Sequence, residues 1–87
     1  MVKEKIIIEN ETGLHARPAT EISKAAMKYP CDIYMVIGEK KVNAKSPLMI
    51  MAAGIKSKTE LEIVCDGEAE EKALEALKTT FKTQLGE

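Results

Sequence analysis

Apolar and polar positions alternate along this chain in two distinct periods, and the switches between them divide it into seven elements. Residues 3–10 hold the β-branched run Ile6-Ile7-Ile8 and end in Asn10-Glu11-Thr12-Gly13, the pattern of a strand running into a loop. Ala19, Ile22, Ser23, Ala26 and Met27 then recur at helical spacing and stop at Tyr29-Pro30, which predicts a helix over 16–28. Cys31, Ile33, Met35 and Ile37 alternate with Asp32, Tyr34 and Val36, a strand with one apolar face, and Gly38-Glu39 turns it into a second strand over 40–44.

Ser46-Pro47 matches a capping residue followed by proline at the first helical position, and the apolar run 48–53 stops at Gly54, so a short second helix is expected. Leu61, Ile63 and Cys65 point one way from a strand over 59–65, Glu60 and Glu62 the other, and Asp66-Gly67 closes it. Ala69, Ala73, Leu74, Leu77, Phe81 and Leu85 trace an apolar stripe along a last helix over 68–85, whose first turn is acidic, as the helix dipole favours. The order β-α-β-β-α-β-α, without repeat or linker, points to an α+β fold with helices over one face of an antiparallel sheet.

The length of 87 residues fits one domain over 1–87. A chain of this size buries only about 60 to 65% of its unfolded surface, so its core must be compact. Charges are numerous and balanced, 13 Lys plus Arg against 14 Asp plus Glu, for a net charge of −1. That balance argues against counterion-release binding to nucleic acid and against attraction to anionic membranes, and Phe81 with two tyrosines is too little for a base-stacking platform. Proteins are the expected partners. No secretory signal or bilayer-spanning stretch is read at the N-terminus or beyond, and a cytoplasmic location is expected. Cys31 and Cys65 lack C-x-x-C spacing and partner histidines, so they read as small buried hydrophobes, with no metal site and no cofactor.

The informative segment is Thr12-Gly13-Leu14-His15-Ala16-Arg17-Pro18-Ala19. It places the single histidine between a glycine loop and a helix start, where unpaired N–H groups and the positive end of the dipole favour phosphate. The backbone N–H groups of Ala16 and Arg17 are the available donors, because Pro18 has none. The same field disfavours a protonated imidazole, leaving a ring nitrogen able to attack phosphorus, and Arg17 can fork onto phosphoryl oxygens. The plainer alternative is that His15 caps the helix and Arg17-Pro18 is an ordinary helix opening.

On this segment, on Val42-Asn43-Ala44-Lys45-Ser46, on Gly54, on Asp66-Gly67 and on the element order, the chain resembles the HPr family, histidine-containing phosphocarriers of the phosphoenolpyruvate-dependent sugar phosphotransferase system. The resemblance implies an open-faced sandwich of four antiparallel strands covered by three helices. It implies that His15 is phosphorylated by enzyme I on its δ nitrogen, that Arg17 is the anion partner, and that sugar-specific IIA domains accept the group. Such a chain is a stoichiometric carrier and not itself a catalyst.

It also aligns Ser46 with the serine that a dedicated HPr kinase/phosphorylase modifies in the Gram-positive type, with a repressor as downstream partner. N-capping alone explains a serine there, and both roles are compatible, since phosphate is stabilised at a helix start. Pro47 departs from the family, where a bulky aliphatic follows the serine, and this counts against recognition by that kinase. A regulatory paralogue acting mainly through Ser46 and a repressor partner is the alternative function, and the intact His15-Ala16-Arg17 favours transfer over it. Leu48 and Met49, with Leu14, are read as an exposed apolar rim for partner docking. Met51 is assigned to the same rim, although core is the stronger expectation for it. Lys24, Lys45 and Lys56 are expected to add positive charge around this face.

Overall fold

The computed structural model describes residues 1–9, 13–14 and 16–85. Four strands and three helices follow one another as β1 (Val2–Ile7), α1 (Ala16–Met27), β2 (Asp32–Ile37), β3 (Lys40–Asn43), α2 (Pro47–Ala52), β4 (Glu60–Asp66) and α3 (Glu70–Leu85). The strands make one antiparallel sheet in the order β1-β4-β2-β3, so the strand formed last in sequence is inserted between the first two.

The register sorts side chains by face. Ile6 opposes Leu61, Ile33 opposes Cys65 and Met35 opposes both Ile63 and Val42, and this face carries the core. Ile8, Ile22, Ile50, Leu77 and Phe81 close over it from β1's end and from the three helices. The other face carries Lys3, Lys5, Tyr34, Lys41 and Glu62, with the Lys41 ammonium 4.1 Å from the centre of the Tyr34 ring. Val64 lies on this open face yet is buried, because Lys3 and Tyr34 flank it in the neighbouring strands. Lysines on both edge strands, Lys3 and Lys5 on β1 and Lys40 and Lys41 on β3, discourage pairing with a further strand.

Most element boundaries fall within one or two residues of those expected, and the deviations have local causes. β1 ends at Ile7, but Ile8 still pairs outside it, its N–H donating to the Thr59 carbonyl at 2.9 Å. The Asn10 end of the expected strand lies outside the described residues. α1 keeps Ala19, Ile22, Ser23 and Ala26 inward, while Met27, on its last turn, is exposed.

α3 starts at Glu70, two residues later than the periodicity suggests, because Ala69 has φ +63° and cannot continue a right-handed helix. Its first turn is closed by Glu70 itself, whose carboxylate accepts from the Gly67 N–H at 3.0 Å. Glu70 also binds the Met1 ammonium at 3.0 Å, and these two contacts, the backbone one first, hold its carboxyl below the ordinary glutamate range. Lys78 bridges to Glu4 at 3.1 Å and ties α3 to β1. Both cysteines are free and buried, as expected of small hydrophobes, and burial, with smaller contributions from Cys31 and Glu70, pushes the Cys65 thiol up to about 11.

Candidate functional site

Gly13 and Leu14 enter α1 through a close approach to the chain beyond α2. Gly13 has φ +68°, and a Cβ there would lie 2.5 Å from the Ile55 carbonyl oxygen and 2.9 Å from Lys56 Cα. Only glycine satisfies both conditions. The next N–H, that of Leu14, donates to the same Ile55 oxygen at 2.9 Å.

This geometry overturns the expected exposure of Leu14. Its side chain is only 4% exposed and belongs to the core with Ile8, Ile22 and Ile50. A loop carries no periodicity from which that direction could be read. The left-handed turn at Gly13 and the anchored N–H set it, and Leu14 is removed from the docking rim.

His15 and Thr12 lie outside the described residues. The helix that follows begins at Ala16, and Arg17 stands exposed in its first turn, where N–H groups have no intrahelical acceptor. Pro18 is buried, which stiffens the turn on the core side, and the Thr20 hydroxyl donates back to the Ala16 carbonyl at 2.9 Å.

Ser46 caps α2. Its backbone is extended (φ −112°, ψ 108°), its hydroxyl oxygen accepts from the Met49 N–H at 3.2 Å, and Pro47 occupies the first helical position. Gly54, at φ +63°, ends the helix after its N–H donates to the Met51 carbonyl at 3.2 Å. Residues on both sides of α2 are tied to the segment that leads into and forms α1. The buried Ser23 hydroxyl donates to the Lys45 carbonyl at 2.8 Å, just before the cap, and Leu14 holds Ile55, just after the stop. Neither acceptor was legible in sequence, since a carbonyl carries no residue identity.

Around α2 the side chains sort by angle. Ile50 is fully buried. Met49 and Met51 stand about 100° to either side of it and are 44% and 38% exposed, and Leu48, nearly opposite, is 75% exposed. Core placement of Met51 is thus corrected: a six-residue helix buries one narrow face, and Ile50 fills it.

The expected lysines divide likewise. Lys24 is exposed on α1, 3.8 Å from Glu21, and Lys56 is exposed. Lys45 is partly buried, with its ammonium donating at 2.8 Å to the Tyr29 carbonyl just past the end of α1. It is a helix-end contact and not a free surface charge.

Among the described residues there is no cluster of His, Cys, Asp and Glu that could hold a metal ion, and no helix long and apolar enough to cross a membrane. Known proteins match this architecture along nearly its whole length. The phosphocarrier protein HPr of Mycoplasma capricolum is 41% identical over 81 residues, which is 93% of this chain and 91% of that protein. The HPr-like protein Crh of Bacillus subtilis is 38% identical over 77 residues, covering 88% of this chain and 91% of its own.

A solved structure of a mycoplasma histidine-containing phosphocarrier protein superposes with a TM-score of 0.94 at 38% identity, covering 97% of this chain and 96% of that one. The family described as the phosphotransferase-system HPr component phosphorylation site matches residues 2–83. With that family match over nearly the whole chain, and with four antiparallel strands and three helices that match the fold of its neighbours, the chain belongs to the HPr family of the phosphotransferase system.

Proposed function

We propose that this chain, as one HPr domain, carries phosphoryl groups in sugar uptake. His15 takes the group from phosphorylated enzyme I and passes it to a sugar-specific IIA domain. The observation that supports this most directly is that the single histidine directly precedes Ala16, the first residue of α1. The N–H groups of Ala16 and Arg17 and the positive end of a twelve-residue helix favour a phosphoryl group carried just ahead of that helix. In each transfer a neutral ring nitrogen of His15 forms the new N–P bond as the donor's bond to phosphorus breaks, and the Arg17 guanidinium neutralises charge on the phosphoryl oxygens.

The chain is a stoichiometric intermediate in the cytoplasm, and the catalytic machinery belongs to its partners. Docking falls to the outer face of α2, Leu48, Met49 and Met51, with Lys24 on α1 supplying charge. The kinship with Crh and the position of the Ser46 hydroxyl at a helix start favour a second, regulatory reading, in which a kinase modifies Ser46 and a repressor reads the product.

Incubation with enzyme I, magnesium and labelled phosphoenolpyruvate separates the two. The carrier reading expects acid-labile, base-stable label on the wild type, none on His15→Ala, and a chase onto a IIA domain. An unlabelled wild type that a kinase modifies at Ser46 would overturn it in favour of regulation.

A further inference from the structure

The five methionines occupy two kinds of environment. Met35 is fully buried in β2, whereas Met1, Met27, Met49 and Met51 are all exposed. A thioether needs no proton removed before it attacks a peroxide, so access to sulfur governs its oxidation. The groups that normally intercept peroxide first are cysteine thiolates. Here both cysteines are buried, and desolvation keeps Cys65 protonated. Oxidant arriving at this molecule therefore meets methionine.

Two of the exposed thioethers sit on either flank of the Leu48 ridge of α2 and make up most of its apolar rim. We propose that Met49 and Met51 are reversible oxidation sites, at which peroxide converts the α2 rim into a polar surface that partners no longer bind well. The inference rests on the docking role assigned to α2 above.

In the reaction a sulfur lone pair attacks one peroxide oxygen, an S–O bond forms, the O–O bond breaks and water leaves. The thioether is oxidised by two electrons and the peroxide reduced. Methionine sulfoxide reductases, supplied with a dithiol, return the thioether and release water and a disulfide. A sulfoxide is a strong hydrogen-bond acceptor, and burying it against an apolar partner surface forfeits the methionine's burial and strands a polar oxygen. Forfeiting the burial of one such side chain corresponds to about tenfold in affinity.

The test treats the full chain with hydrogen peroxide and follows each methionine by peptide mass spectrometry. It then measures transfer from phosphorylated enzyme I at carrier concentrations below KM. Wild type and Met49→Leu/Met51→Leu are each compared with their own untreated sample. Expected are sulfoxides at Met49 and Met51 with Met35 reduced, a loss of about tenfold or more in the wild-type rate, its recovery with the reductases, and little loss in the double variant. Equal fractional losses in both proteins would assign the effect to Met1, Met27 or another lesion and overturn the inference.

So would oxidation at both positions with an unchanged rate. Leu48→Asp, at a position too exposed to affect folding, separates the underlying reading. If it slows transfer while the sulfoxides do not, docking on α2 stands and oxidation control falls. If neither slows transfer, docking on α2 falls as well.

Discussion

Replacing Gly13 by alanine should be among the costliest single-methyl additions available in this protein. The backbone at φ +68° penalises any Cβ by about 1 to 2 kcal/mol. The added carbon would then sit 2.5 Å from the Ile55 oxygen, 2.9 Å from Lys56 Cα and 3.1 Å from the Lys56 carbonyl carbon, all main-chain atoms that no rotamer change can move. Relief requires the two segments to separate. That lengthens or breaks the Leu14–Ile55 hydrogen bond, worth about 1 kcal/mol, and withdraws part of the Leu14 side chain from the core, worth about 1 kcal/mol more. The sum is about 3 to 4 kcal/mol, a large share of the roughly 4 to 13 kcal/mol expected for a chain of this size.

Gly54→Ala is the control, since its φ of +63° is nearly the same but nothing lies within 4 Å of the added carbon. It should cost only the backbone term of about 1 to 2 kcal/mol. Urea unfolding of both variants reads the difference, and thermal midpoints should fall by about 15 °C or more for Gly13→Ala. Equal destabilisation of the two variants would refute the close approach at Gly13.

Ser46→Ala should lower stability by about 1 kcal/mol through loss of the α2 cap, while Ser46→Asp keeps a capping oxygen and most of the stability, both read from urea midpoints. Ala69→Gly should raise the urea midpoint by about 0.5 to 1 kcal/mol equivalent, because it releases a left-handed alanine that is exposed and packs on little. The Glu70 carboxylate is lowered by its bonds to the Gly67 N–H and the Met1 ammonium, so its contribution is present above the ordinary glutamate range, near pH 4.3 by approximate reference, and is lost as pH falls through that range to the lowered native value. The amine it holds is raised, so the amine's share is present below its ordinary value and fades as pH rises through the raised one. Thermal midpoints of wild type and Glu70→Gln, scanned with pH, should therefore differ most between these limits, converge at the acid end, and narrow without closing at the alkaline end, where the carboxylate still accepts from the Gly67 N–H.

The elements were legible because their signals are local. Alternation fixed β2 and β4, Gly38-Glu39 fixed the hairpin, and Ser46-Pro47 with Gly54 bounded α2. The insertion of β4 between β1 and β2 was not legible, because strand neighbours so far apart in the chain leave no mark on short-range pattern. A faint trace exists in Val64, an apolar residue on the open face that is buried because strands flank β4 on both edges, whereas Ile7 on the same face of the edge strand β1 is exposed. Of the candidate site, the Ser46 cap was readable from residue type, while His15 lies outside the described residues. The burial of Leu14 and the exposure of Met51 were not, since one lies in a loop without period and the other in a helix too short to fix a phase. The attachments of Lys45 and Ile55 run through carbonyl groups, which every residue possesses.

A helix of six residues has no stability of its own in water, yet α2 is held at both ends by Ser23 and Leu14. Its apolar ridge is therefore already ordered before any partner arrives, and association need not expend free energy on arranging it. The ridge is also small, three side chains, so on the docking reading proposed above its complexes should be brief, because weak affinity in related complexes is expressed mainly in fast dissociation. The carrier role proposed above asks a molecule to leave one protein in order to reach the next, and it would be served by that combination: a rigid surface that recognises on contact and a contact too slight to detain it.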